Sequence, residues 1–233
     1  MLIGSQAAAL PREVRELAER LGATGDAAWS SVTLSQRGTM RNDPAGWAMW
    51  FRAVQTIDLQ HCEFTWRAAA GPFGCISVID SFKDGQAKLE ARLFGWLPIA
   101  LANGGAALAK GEIMRYLAEL AFAPDAIVCN PLLAWTVINE TTLRVSAGRN
   151  ESRGEVELRL DGTGRIAGVF ALDRPRKEGS GFVERPWQGR FFDYRRHQGR
   201  WLPFAGEVGW VLDGQSFVAW RGELTGWQAG AGL

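Results

Sequence analysis

In the second half of the chain, side-chain polarity repeats every two residues, and glycine turns interrupt the repeat at regular intervals. Val156, Leu158 and Leu160 alternate with Glu155, Glu157 and Arg159 before Asp161-Gly162-Thr163-Gly164 reverses the chain into residues 166–172. A period of two sends alternate side chains to opposite faces of a strand, so each run has one face to bury and one to wet. Residues 187–195, 207–212 and 217–224 continue the pattern, and Asp213-Gly214 joins the last two as a two-residue hairpin would. Strands about 10–14 residues apart leave no room for the crossover helices that parallel pairing needs. Antiparallel sheet is therefore expected.

The first half carries the same signal less regularly. Val32 and Leu34 alternate with Thr33 and Ser35 toward Arg41. Phe64 and Trp66 lead into a turn at residues 68–72, and Ile76, Val78 and Ile79 lead out of it. Asp84-Gly85 turns the chain again into Leu89, Ala91 and Leu93, and residues 135–145 are β-branched and apolar. Two segments have a helical period instead. In residues 11–21, Pro11 opens the first turn, Val14, Leu17, Ala18 and Leu21 share a face, and Gly22 closes the run. In residues 110–122, Met114, Leu117, Ala118 and Ala121 share a face, Asn103-Gly104-Gly105 precedes and Pro124 stops it. This second segment reads as the main helix. No repeat or linker divides residues 1–233, so a single domain is expected.

Composition removes several function classes. The 26 lysines and arginines balance 25 acids, and a net charge of +1 supplies no general attraction to nucleic acid. Arg174, Arg176, Lys177 and the pair Arg195–Arg196 read as solvated charges. The most apolar stretch, residues 93–108, is broken by Gly95, Pro98 and Asn103-Gly104-Gly105, so no membrane span is expected. Met1–Leu10 lacks the basic start of a secretory signal, which makes a cytoplasmic location the expectation. Three cysteines, Cys62, Cys75 and Cys129, are an odd number without a CxxC pair, and His61 and His197 are the only histidines. With the turn at residues 68–72, Cys75 falls opposite about position 65, on the other face from Cys62. A disulfide scaffold and a metal site are both disfavoured. No GxSxG, GxxxxGK[ST], HExxH or GxGxxG motif occurs, so neither a nucleotide nor a nicotinamide cofactor is expected. No feature fixes an oligomeric state.

Longer motifs carry a resemblance. Gly111-Glu-Ile-Met-Arg-Tyr-Leu-Ala-Glu119, closed by Pro124, is similar to the central helix of a bacterial family known only as a domain of unknown function. Pro186-Trp187-Gln-Gly189, Phe192-Asp193-Tyr194, Pro203, Gly206-Glu207-Val-Gly-Trp210 and Trp220-Arg221-Gly222 fit its later pattern, as do Phe64-Thr-Trp66 and Asp80. These motifs span residues 38–222. The resemblance implies a β-rich α+β fold: a strongly curved antiparallel sheet, half-barrel or barrel, wrapped around a central helix, similar to the lipoprotein-carrier half-barrel. It implies no reaction. Some members of the family carry an N-terminal membrane segment, whose character Met1–Leu10 does not share.

Eleven tryptophans are the clearest compositional anomaly. They read either as large core fillers bonded through their indole N–H groups or as the wall of a cavity for an apolar or aromatic molecule. Such a wall can also steady a cation on its ring faces. The candidate wall residues are Trp66, Trp135, Tyr116, Tyr194, Trp210 and Trp220. Arg115 and Glu119, four residues apart at the flank of the helical apolar stripe, form an ion pair that is either solvated or faces a cleft. In a cleft, Glu119 is a candidate general acid or base and Arg115 an anion or carbonyl clamp. Asp80 ends an apolar strand and is a turn former or a polar group of the cavity wall. Asp193 shares a strand face with Phe191 and Arg195, and Tyr194 with Phe192 and Arg196. Glu207 and Arg221 lie nearly opposite across the Asp213-Gly214 hairpin and read as a cross-strand salt bridge. His61 and His197 sit in loop or edge positions with no partner in view. The leading expectation is binding of a small apolar or aromatic molecule in a Trp-lined β-cup. The alternative is a cofactor-independent lyase, isomerase or hydrolase working through a buried carboxylate. A third reading, a subunit that docks a protein partner, predicts an exposed apolar patch.

Overall fold

The computed structural model describes residues 9–25 and 28–230. The segment read for a secretory signal therefore lies, up to residue 8, outside the described residues. Helix α1 (Arg12–Leu21) starts one residue later than its sequence pattern suggests. Pro11 stays extended at ψ 150° as the residue before the helix, its ring presetting φ at −52°. Val14, Leu17, Ala18 and Leu21 are buried, and Gly22 ends the helix in the left-handed region at φ +77°.

Six strands follow: β1 (Ser31–Met40), β2 (Met49–Asp58), β3 (Phe64–Ala70), β4 (Ile76–Lys83), β5 (Gln86–Leu93) and β6 (Leu97–Asn103). The main helix is α2 (Ala106–Ala118), continued by a 3-10 turn over Glu119–Ala121, and a short α3 (Ala126–Cys129) comes next. Seven strands complete the described residues: β7 (Ala134–Asn139), β8 (Thr142–Ala147), β9 (Gly154–Leu160), β10 (Ile166–Glu178), β11 (Gly181–His197), β12 (Arg200–Leu212) and β13 (Gln215–Gly230). All thirteen join one antiparallel sheet in the order β6-β5-β4-β3-β2-β1-β13-β12-β11-β10-β9-β8-β7. Among the described residues, β1–β13 is the one pairing between strands far apart in sequence.

Several boundaries differ from the sequence reading. The main helix begins at Ala106 instead of Lys110, because Gly104 and Gly105, both at positive φ, release the chain from β6 directly into it. It tightens at Glu119, whose ψ of 1° is no longer α-helical. Residues 135–145 form two strands, since Asn139 Oδ1 accepts hydrogen bonds from Thr141 N–H and Oγ1 and closes a hairpin there. The β3–β4 turn runs through Gly71–Cys75, with Ala70 opposite Ile76, so Cys75 sits in the turn itself. All three cysteines are free thiols. In β11, Asp193 adopts φ +57° and shifts the inside–outside alternation. Phe191 is buried and Tyr194 half-buried, while Phe192, Asp193 and Arg195 are exposed.

The sheet curves so far that α2 touches β4 and β5 on one arm and β8 to β11 on the other. Its inward side chains Ile113, Met114, Tyr116 and Leu117 are at most 3% exposed and form the centre of the core with Leu34, Ile57, Leu143 and Leu158. This half-barrel leaves space on one flank of α2.

Candidate functional site

That space is a cavity of about 540 Å³ between the C-terminal half of α2 and the concave face of β1–β6 and β10–β13. Its wall is mainly apolar, with Trp66, Ile76, Val78, Phe191, Trp210 and Trp220 among the lining side chains. Trp66 is fixed by its Nε1–H, which donates to Gln36 Oε1 at 3.0 Å, and by an edge contact with Phe51. Trp220 stacks on Phe51 as well, at 5.8 Å between ring centres. Close packing of three aromatic rings leaves their faces few alternative rotamers.

One side of the wall is polar. Arg115 points from the last turn of α2 and donates through Nη1 to Asp80 Oδ2 at 2.5 Å and through Nε to Glu119 Oε1 at 3.0 Å. Glu119 Oε2 accepts from Gln55 Nε2 at 2.5 Å, and the Arg115 guanidinium lies 4.5 Å from the Phe64 ring centre. Arg115, Glu119 and Asp80 therefore meet in one network on the cavity wall. Burying a charge is costly unless it is paired, and each of these three has a partner. Asp80 Oδ1 and Gln55 Oε1 nevertheless remain buried without a donor. Burial raises the Asp80 carboxyl above the usual range, against the pull of Arg115 and Arg174.

Two further residues belong to this cluster, and the sequence reading did not single them out for it. Glu112 is buried one turn before Arg115, and burial, reinforced by the Asp80 charge, pushes its carboxyl up to about 8. Its spacing of three from Arg115 and seven from Glu119 puts all three on one helical face, which was the available signal. Arg174, read above as a solvated charge, lines the cavity instead. Its guanidinium lies 4.4 Å from the Trp187 ring centre and 5.5 Å from that of Trp210. Burial lowers its pKa, yet an arginine remains a cation under all ordinary conditions. A one-residue register shift between Ala171 and Arg174 changes which side chains face inward, and no local pattern announces it. Arg176 is also half-buried and paired with Glu178, whereas Arg195 and Arg196 are exposed.

Three expected wall residues lie elsewhere. Tyr116 is wholly buried on another face of α2, donating its hydroxyl to Asp58 O and accepting from Asn130 Nδ2, both at 2.9 Å. Tyr194 donates to Ile166 O at 2.7 Å, under the parity shift at Asp193. Trp135 is on the edge strand β7, opposite Val145. The tryptophans in fact divide among several roles. Trp227 is a core filler bonded to Phe122 O, whereas Trp47 and Trp96 stand exposed with Phe73 on hairpin tips at one end of the sheet. Glu207 does pair with Arg221 at 2.7 Å, and a second arginine, Arg190, holds its other oxygen. Among the described residues, no three His, Cys, Asp or Glu side chains are placed to share a metal ion. No helix among them is long and apolar enough to cross a membrane.

A half-barrel of antiparallel strands holding a helix and a part-apolar, part-ionic cavity defines the class of protein. Over residues 3–222 the sequence matches a family of unknown function, DUF6544, and the chain belongs to that family. No curated protein matches it. Among solved structures it is similar to a putative outer membrane lipoprotein-sorting protein domain from Vibrio parahaemolyticus. That likeness has a TM-score of 0.52 at 12% identity and covers 99% of this chain and 94% of the other. It is also similar to a LolA superfamily protein from Nitrosomonas europaea, with a TM-score of 0.51, 10% identity and 94% coverage of both chains. At such identities the likeness is one of fold.

Proposed function

We propose that the chain binds a small, largely apolar or aromatic molecule in the cavity beside α2. The observation that carries this is the cavity itself: about 540 Å³, walled mainly by Trp66, Trp210, Trp220 and aliphatic side chains. Pockets of a few hundred Å³ with apolar walls and a few polar groups are typical of small-molecule sites. The lipoprotein-sorting label of the Vibrio structure supports the same general class of apolar ligand. Native mass spectrometry of the purified protein, followed by tryptophan fluorescence during titration with apolar and aromatic compounds, tests it. Saturable quenching that is weakened in Trp210→Ala and Trp220→Ala is expected; no response to any compound overturns the reading.

A second reading rests on Asp80, a cavity carboxyl whose affinity for a proton is raised by burial. Such a group can transfer protons in a dry pocket, with Arg115 stabilising developing negative charge and Glu119 positioning Arg115. Turnover of a bound compound, lost in Asp80→Asn with binding retained, distinguishes an enzyme from a carrier. An unchanged ligand after hours of incubation with wild type favours the carrier.

A further inference from the structure

We infer that the ligand is an amphiphile, an apolar body bearing one carboxylate, and that Arg174 holds its head group. This rests on the cavity's being a binding site for an apolar molecule and adds the chemistry of the polar end. Three other inward arginines are bonded directly to carboxylates: Arg115 to Asp80 and Glu119, Arg176 to Glu178, and Arg200 to Asp125. Arg41, also on the cavity wall, donates to Val218 O and Pro44 O. Arg174 has no bonded carboxylate, and Glu112 and Asp80 act on it only through space. Among the described residues it makes no hydrogen bond and no ion pair, and its Nε is buried without an acceptor. Its neighbours are instead the faces of Trp187 and Trp210, which attract the cation but accept no N–H bond along the guanidinium plane.

Guanidinium N–H donors facing a cavity without acceptors are satisfied by a ligand that supplies them. The planar fork of a guanidinium matches a carboxylate through two parallel hydrogen bonds. Across the cavity, Asp80 Oδ1 and Gln55 Oε1 are acceptors without donors, and they turn an anion away from that arm of the sheet. Arg174 also already places a positive charge against the rings of Trp187 and Trp210, which disfavours a ligand cation beside them. The remaining wall is apolar and suits the body of the molecule.

The test uses matched pairs that differ in the head group alone: dodecanoate against 1-dodecanol, and 2-naphthoate against 2-naphthalenemethanol. Each is titrated at pH 8 into wild type, Arg174→Gln and Arg174→Lys, and followed by tryptophan fluorescence. Wild type is expected to bind at least one acid about tenfold or more tightly than its alcohol. Arg174→Gln should erase that preference while leaving alcohol binding within about twofold, and Arg174→Lys should keep part of it. Equal binding of acid and alcohol by wild type overturns the head-group assignment and leaves the apolar site standing. Failure of all four compounds to bind overturns the apolar site and the assignment with it. The wild-type comparison decides even where Arg174→Gln does not fold.

Discussion

Asp125 collects more hydrogen bonds than any other carboxylate described above. Its Oδ1 accepts from Thr24 N–H, Thr24 Oγ1, Gly25 N–H and Arg200 Nη2, and its Oδ2 from Arg200 Nε. Both side chains of the Arg200 pair are at most 5% exposed, and the guanidinium lies 4.1 Å from the Trp29 ring centre. Removing one partner strands the other charge in the interior, so Asp125→Ala is expected to lose about 3–5 kcal/mol in urea unfolding. Glu223→Ala, which breaks the exposed Arg37–Glu223 pair, should change stability by less than about 1 kcal/mol. Glu112 gives a pH signature. Its carboxyl titrates near 4.5 when unfolded and near 8 when buried, so between those values the native state holds a proton that the unfolded chain releases. The stability it contributes is complete below about pH 4.5 and is lost as the pH rises to 8. Glu112→Gln should therefore flatten the fall in urea midpoint between pH 5 and 8, and an unchanged slope refutes the assignment. The Arg115–Glu119 pairing could be read from helical spacing, because both partners lie on one element. Arg174 could not, because Trp187 and Trp210 reach it through strand register.

Elements were easiest to recognise where turn chemistry is local. Asp84-Gly85 and Asp213-Gly214 both have positive φ at the two central residues, the geometry of hairpin turns whose twist matches their strands. The strands they join were accordingly visible in the sequence. β2 was not: Trp50 and Val54 face outward while Gln55, 0% exposed, faces inward, so its polarity runs against its burial. β6 hides for a similar reason, with Ile99 and Leu101 exposed on an edge strand. The β1–β13 contact depends on Gly38. A Cβ there would lie 2.0 Å from Arg221 O, so the strands could not keep their spacing. Gly38→Ala is expected to destabilise the protein by about 1–3 kcal/mol in thermal or urea unfolding. A stability equal to wild type would mean that this contact yields easily.

At the level of the whole molecule, antiparallel strands could be read from period and turns, but the strand order could not. Hairpins report only their own neighbours, and a sequence carries no local mark of which strand ends will meet. The order β6 to β1, then β13 to β7, sets the first and last strands side by side at the middle of the sheet, with Ser31 opposite Gly230. The outer strands β6 and β7 are tied through α2. A force applied at Ser31 and Gly230 therefore falls across the β1–β13 ladder, not along it. The load reaches one hydrogen-bonded rung at a time, and the sheet should part along its midline into two six- and seven-stranded arms. In single-molecule pulling from handles at Ser31 and Gly230, the first rupture is expected at low force, with β2 to β12 left folded. This fold, well packed around α2, is thus mechanically weakest where its first and last strands are joined.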